Sequence, residues 1–154
     1  MKYGKGFTTG VGCRIDAAMD KVSLTIGCNA RLGDYVHINA CTCVIIGDNI
    51  LTASKVFISD TNHGVFKGEN QDPPESNPTE RRLVADPVYI GDNVWIGENA
   101  VILPGSRIGN GCVIGANTVI NGEKFDDNCI IAGVPGRVVK RFNIESKKWE
   151  KVCR

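Results

Sequence analysis

The 154-residue chain is poor in several things an enzyme commonly displays. It has two histidines, 6% aromatic residues and a formal net charge of +1. Two histidines, His37 and His63, fall short of a three-histidine metal centre. A near-neutral balance argues against general binding to nucleic acid. No apolar run approaches the roughly 20 residues that span a bilayer, and no charged-then-apolar leader opens the chain. The expectation is a cytoplasmic protein without a transmembrane segment. The seven cysteines (Cys13, Cys28, Cys41, Cys43, Cys112, Cys129 and Cys153) are odd in number and contain no C-x-x-C. They read as small interior or corner residues in a reducing compartment. The Cys41-x-Cys43 spacing is unusual for structural zinc, and no metal is expected.

What the chain does have is a period. Ile90, Ile96, Ile102, Ile108, Ile114 and Ile120 fall on every sixth residue, and Gly91, Gly97, Gly109 and Gly115 follow four of them. Four residues after an isoleucine stands Val94, Ala100, Ser106, Cys112 or Thr118. A period of six fits neither a helix at 3.6 nor a lone strand at 2. It fits a short strand followed by a corner, repeated, with glycine where a Cβ would be crowded. Ile26, Leu32 and Ile38 form an earlier run, and Ile46, Thr52 and Ile58 another after a slip of phase at Val44. A single hexapeptide buries almost nothing, so stability must come from stacking coils. The architecture is a parallel β-helix in one domain; a sandwich would not keep this phase.

Segments that leave the period divide the chain. Residues 1–21 are glycine-rich and read as an N-terminal cap, with Ile15-Asp16-Ala17 a degenerate first repeat. Residues 22–59 and 88–136 are coils. Residues 60–87, with Pro73, Pro74, Pro78 and Pro87, form a long protruding loop, and such an excursion from a rigid wall is expected to carry function. Residues 137–154 are the tail. Its composition from Asn143 onward, with Glu145 early and Lys148 and Lys151 late, predicts a short C-terminal helix docked through Phe142, Ile144 and Trp149.

With the segments placed, the chain resembles the hexapeptide-repeat acyltransferases. The match is carried by Ile90-Gly91-Asp92-Asn93-Val94-Trp95-Ile96-Gly97, Ile114-Gly115-Ala116-Asn117-Thr118-Val119 and Ala132-Gly133-Val134-Pro135-Gly136-Arg137-Val138-Val139. Gly4 to Gly12, Asp34 to Ile38 and Ser59-Asp60-Thr61-Asn62-His63-Gly64 are similar to bacterial enzymes that acetylate lipopolysaccharide O-antigen and polysialic-acid capsule. The resemblance implies a left-handed coil, where the general crossover rule favours the right hand. It also implies acetyl-CoA as co-substrate, a sugar hydroxyl as acceptor, and a homotrimer with active sites between subunits.

The same resemblance assigns roles. His63 matches the loop histidine that serves as base, and a neutral imidazole is chemically suited to take a proton from a sugar hydroxyl. The plain alternative is a solvated turn histidine held by Asp60 or Asn62. Gly97 and Glu98 stand at the corner expected to offer a backbone donor to the oxyanion. Trp95, an outward strand residue, is either interface packing or, as the family implies, part of the site beside pantetheine. Ala116 matches a position whose backbone lines the pantetheine groove, and Arg137 and Lys140 match positions that meet the nucleotide phosphates. Asn121 and Gly122 replace a common Thr-Lys, and Gly33 replaces an acceptor-side Asn. Asn62, Arg81 and Arg82 are candidate acceptor contacts. His37 reads as structural, with Asp34 the nearest carboxylate in sequence. A non-catalytic β-helix assembly module and a metal-dependent carbonic anhydrase are the competing readings.

Overall fold

The computed structural model describes residues 1–152, so Cys153 lies outside the described residues. The chain winds through coils of three short strands. The first coil is β1 (Lys2–Tyr3), β2 (Thr8–Thr9) and β3 (Arg14–Ala17). The second is β4 (Leu24–Ile26), β5 (Arg31–Leu32) and β6 (His37–Ala40), and the third β7 (Val44–Ile46), β8 (Leu51–Thr52) and β9 (Phe57–Ser59). An arm then leaves the stack, its root formed by β10 (Thr61–His63) antiparallel to β11 (Leu83–Ala85). The fourth coil is β12 (Val88–Ile90), β13 (Trp95–Ile96) and β14 (Val101–Leu103). The fifth is β15 (Arg107–Ile108), β16 (Val113–Ile114) and β17 (Val119–Asn121). An incomplete sixth holds β18 (Lys124–Phe125) and β19 (Cys129–Ala132), followed by β20 (Arg137–Asn143) and β21 (Lys148–Lys151).

Equivalent strands stack in parallel into three walls. Sheet I runs β1-β4-β7-β12-β15-β18, sheet II runs β2-β5-β8-β13-β16-β19 and continues into β20 and β21, and sheet III runs β3-β6-β9-β14-β17. The six ladder isoleucines are at most 3% exposed and the small residues two positions before a ladder site are equally buried, so the core is one apolar column. Stacking is in register: Trp95 lies over Val113, Ile96 over Ile114 and Ile102 over Ile120. Each coil therefore covers the next at the ~4.8 Å strand spacing.

Two residue types make each corner. The residue three beyond a ladder site adopts the left-handed conformation: Asn93, Asn99, Gly105, Gly111 and Asn117 have φ between 55° and 81°. Asn and Gly tolerate this region best. The glycine directly after the ladder site serves a different need, close approach. A Cβ on Gly97 would sit 2.6 Å from the Ala116 nitrogen of the next coil.

The tail corrects the sequence expectation. Residues 137–151 form no helix; β20 adds antiparallel to β19, and β21 pairs back on β20. Asn143 Oδ1 accepts the N–H groups of Glu145 and Ser146, closing a turn where the helix was expected to begin. Phe142 and Trp149 pack edge-on across the hairpin at 5.3 Å, while Ile144 is exposed. The N-terminal segment also differs from a simple cap, because residues 2–17 complete a coil of their own paired to the second. Among the described residues no helix is long and apolar enough to cross a membrane.

Candidate active site

The residue two beyond each ladder site lies on a corner, and its side chain can cap the backbone of the coil before it. At the corner between sheets I and II this column is continuous. Asp48 Oδ1 accepts the Cys28 N–H at 2.6 Å, Asp92 that of Asp48 at 2.8 Å, Asn110 that of Asp92 at 2.8 Å, and Asp127 that of Asn110 at 2.7 Å. At the corner between sheets II and III it begins the same way. Asp34 Oδ1 accepts from Val11, Ser54 Oγ from Asp34, and Glu98 Oε2 from Ser54. There it stops. The next residue in the column is Ala116, which has no acceptor, and among the described residues the N–H groups of Glu98 and Ala116 have no hydrogen-bond partner. Two backbone donors, one coil apart, are thus left free on an accessible corner. Donors so fixed suit a carbonyl oxygen or the charge that develops on it.

Trp95 stands beside this corner, half exposed on the outer face of sheet II. It is in register with Leu51 and Val113, and Ile130 follows, so the outer face carries an apolar stripe. Gly33 occupies the same corner one coil from Ser54, packed so closely that a Cβ would lie 2.6 Å from the Ala53 carbonyl carbon.

The corner between sheets III and I launches the arm. Asp60 roots it: fully buried, the carboxylate accepts from the Cys41, Thr42 and Cys43 N–H groups and the Thr42 hydroxyl. Burial alone would raise its pKa; the four donors outweigh that and hold it below the ordinary carboxylate value. Asp60 is therefore a corner brace and does not pair with His63. His63 is exposed and pairs with Leu83 across the arm root. Asn62 and its cross-strand partner Val84 face a 370 Å³ cleft that also meets Pro104, Asn121 and Gly122.

Arg137 and Asn121 converge on Glu123. Arg137 Nη1 lies 3.1 Å from Glu123 Oε1, and Glu123 Oε2 accepts the Asn121 N–H. Between Asn121 and the free corner amides, sheet III presents half-buried Val101, Leu103 and Val119. Lys140 lies on β20 between Ile130 and Lys151, and Arg141 pairs with Asp126 at 3.1 Å. Arg81 and Arg82 do not meet these groups. Arg81 donates to Ser76 Oγ and to the carbonyls of Pro74 and Ser76, and Arg82 to the Asn70 carbonyl and Asp72. Both guanidiniums brace the distal arm. Burial pushes the thiols of Cys112 and Cys129 up, as befits inert interior residues.

Within one chain, the predicted site residues fall on two different corners. Trp95, Gly97, Glu98, Ala116 and Gly33 gather at II/III, while Asn62, His63 and Asn121 gather at III/I, with sheet III between. Two features escaped the sequence reading. The carboxylate that engages His37 is Asp16 of the preceding coil, 3.0 Å away, rather than Asp34. The sequence already points to the Gly97-Glu98 corner and to the Ala116 backbone; the missing cap that leaves their amides free escaped, although Ile114-Gly115-Ala116 against Ile90-Gly91-Asp92 and Ile108-Gly109-Asn110 carries the signal.

A stacked hexapeptide coil with free corner amides and an arm-borne histidine is the frame of an acyl-transferring enzyme. The family model described as "Bacterial transferase hexapeptide (six repeats)" matches residues 87–122. The chain is 46% identical over 154 residues to the putative lipopolysaccharide biosynthesis O-acetyl transferase WbbJ of Escherichia coli (strain K12), spanning 98% of this chain and 76% of that protein. It is 32% identical over 134 residues to the galactoside O-acetyltransferase of the same strain, covering 83% of this chain and 62% of that one. The solved structure of galactoside acetyltransferase in complex with coenzyme A matches with a TM-score of 0.68 at 30% identity, covering 96% of this chain and 74% of that one. The chain belongs to the hexapeptide-repeat acetyltransferases: it is an acyltransferase built on a left-handed parallel β-helix. The assembly-module and carbonic anhydrase readings give way to this membership.

Proposed function

We propose that the protein transfers the acetyl group of acetyl-CoA to a hydroxyl of a bacterial surface glycan or its sugar precursor, with His63 as general base. The observation that carries the reading is the break at Ala116, which frees the Glu98 N–H where Val11, Asp34 and Ser54 of the same column have theirs capped. The relatives support the substrates: the chain is similar to the putative lipopolysaccharide biosynthesis O-acetyl transferase, and galactoside acetyltransferase was solved with coenzyme A.

The chain's own groups divide the work. Neutral His63 takes the hydroxyl proton as that oxygen attacks the thioester carbonyl carbon. The Glu98 N–H donates to the carbonyl oxygen as negative charge gathers on it. The proton on His63 then leaves with the departing thiolate, so no acyl-enzyme forms. The Ala116 N–H and the apolar face of Val101, Leu103 and Val119 fit a pantetheine arm, and Arg137 and Lys140 fit its nucleotide phosphates. Trp95 closes the reacting end. The separation of His63 from Glu98 on two corners supports a homotrimer in which one subunit's arm meets its neighbour's II/III corner. The apolar stripe of Leu51, Trp95, Val113 and Ile130 supports the same assembly. The enzyme's place of action in this reading is the cytoplasm.

Replacing His63 with Ala tests the assignment in a thioester-cleavage assay with acetyl-CoA and a panel of glycans. Loss of a general base lowers the rate by about 10²–10⁴-fold. A variant that keeps full turnover removes His63 from the role.

A further inference from the structure

Beyond its root the arm meets the stack again, and together they enclose the 370 Å³ cleft that Asn62 faces. We propose that this cleft clamps the adenine ring of acetyl-CoA, with Phe66 of the arm as the stacking residue and Asp86 as acceptor for the exocyclic amine. The ligand's identity rests on the acetyl-transfer reading above; the clamp itself rests on the following geometry.

The arm holds Phe66 in place. The Val65 N–H donates to Asp72 Oδ2 at 2.7 Å, and the Asp72 N–H returns to the Val65 carbonyl at 2.8 Å, closing the turn on which the ring stands. Arg82 reaches Asp72 at 3.4 Å, and the Arg81 guanidinium lies 5.8 Å from the centre of the Phe66 ring. The tip of the ring lies over Gly64, where a Cβ would come within 2.6 Å of it. A ring held by this many contacts is nonetheless 58% exposed, and it lines the cleft. Aromatic rings so fixed are platforms for nucleobases, which stack on them through their π faces.

The stack contributes Pro104 and Gly122, which has no side chain to fill the space between them and the arm. Asp86, Asn62 and Lys67 also line the cleft, and among the described residues none of these three side chains has a hydrogen-bond or ion-pair partner. A carboxylate accepts from an exocyclic amine, a carboxamide donates to a ring nitrogen, and a lysine suits a phosphate. An apolar cleft with a few free polar groups is the common form of a small-ligand site. Its position agrees with the order of groups in the coenzyme. Asn121 lines the cleft and gives its N–H to Glu123, whose other oxygen holds Arg137 at 3.1 Å. The phosphate-binding candidate therefore stands beside the cleft, and Val101, Leu103 and Val119 lead from Asn121 to the free amides of Glu98 and Ala116. Base, phosphates, pantetheine and thioester fall along that path in the sequence their bonds require. Side chains alternate along β10, so the arm offers Asn62 to this cleft and His63 to its other side.

Isothermal titration calorimetry with adenosine 3′,5′-bisphosphate, the nucleotide end of the coenzyme without its pantetheine, reads the cleft on the intact protein. The native protein binds this probe, Phe66→Ala weakens binding by about tenfold, and Phe66→Tyr restores it. In the transfer assay, Phe66→Ala and Asp86→Ala each raise the KM for acetyl-CoA by about tenfold. Neither moves the KM for acetyl-4′-phosphopantetheine, which lacks the nucleoside. A Phe66→Ala protein that binds the bisphosphate with native affinity overturns the clamp. An equal rise in both KM values overturns it as well, because Phe66 then only supports the arm. A native protein that binds neither the bisphosphate nor acetyl-CoA sinks the transfer reading and the clamp with it; acetyl-CoA turnover indifferent to Phe66→Ala sinks the clamp alone.

Discussion

Ala116→Asp separates stability from activity in opposite directions. Asp48, Asp92 and Asp127 occupy the same place in their hexapeptides, and each accepts the N–H of the neighbouring coil at 2.6–2.8 Å. An aspartate at residue 116 restores the missing cap over the Glu98 N–H, at a site that is exposed and free of positive φ. One added hydrogen bond contributes about 0.5–1.5 kcal/mol to folding. Spending that donor on the protein removes it from the reaction. Deleting a single oxyanion donor costs about 10²–10³ in kcat, or roughly 2.7–4 kcal/mol. The expected variant is slightly more resistant to denaturant and acetylates at 1% of the native rate or less (about 10⁻²). Denaturant unfolding and thioester cleavage on the same preparation read the two effects. Native turnover in a protein of raised stability would refute the role of the Glu98 amide, because the cap would have formed without consequence.

Asp60→Ala leaves three corner N–H groups without their acceptor and should destabilise the fold by about 3 kcal/mol in denaturant unfolding. Because its folded pKa is depressed, Asp60 stabilises fully above the ordinary aspartate value of about 3.9 and loses that contribution as pH falls through the lower folded value. Asp60→Asn should therefore flatten the acid limb of the stability curve, and an unchanged limb counts against the brace. Thr118→Val replaces a buried hydroxyl that has no hydrogen-bond partner among the described residues, and a gain of about 1 kcal/mol is expected; a loss would mean that the hydroxyl is satisfied. Arg137→Ala should raise the KM for acetyl-CoA about tenfold with a smaller effect on kcat, and an unaltered KM would reject the phosphate contact.

The coils were legible because burial acts on every sixth residue with the same sign, and a run from Ile90 to Ile120 leaves no other period open. The first coil keeps that spacing too, at Tyr3, Thr9 and Ile15, but polar residues and partial exposure at the end of the stack disguise it. The tail misled because charge placement favours a helix while the Asn143 turn and the β-branched pair Val138-Val139 favour a hairpin; pairing with the open edge of β19 decides the contest. Site residues on the arm and corner were visible as motif positions. Their distribution over two corners was not, since it depends on which wall each hexapeptide joins. Asp16 and His37 lie 21 residues apart, and only the coil register brings them within hydrogen-bond reach.

The register has a further consequence. A solenoid separates direction from height: the residue's place within its hexapeptide sets the way it faces, and the coil number sets its altitude. His63 stands on the arm that leaves the stack after the third coil, and the free Glu98 amide belongs to the fourth coil. Insertion of one whole coil between them would leave both facing as they do and change their offset by about 4.8 Å. Reach along the axis is thereby a counted quantity, adjustable in steps, while the arm supplies the only continuous adjustment.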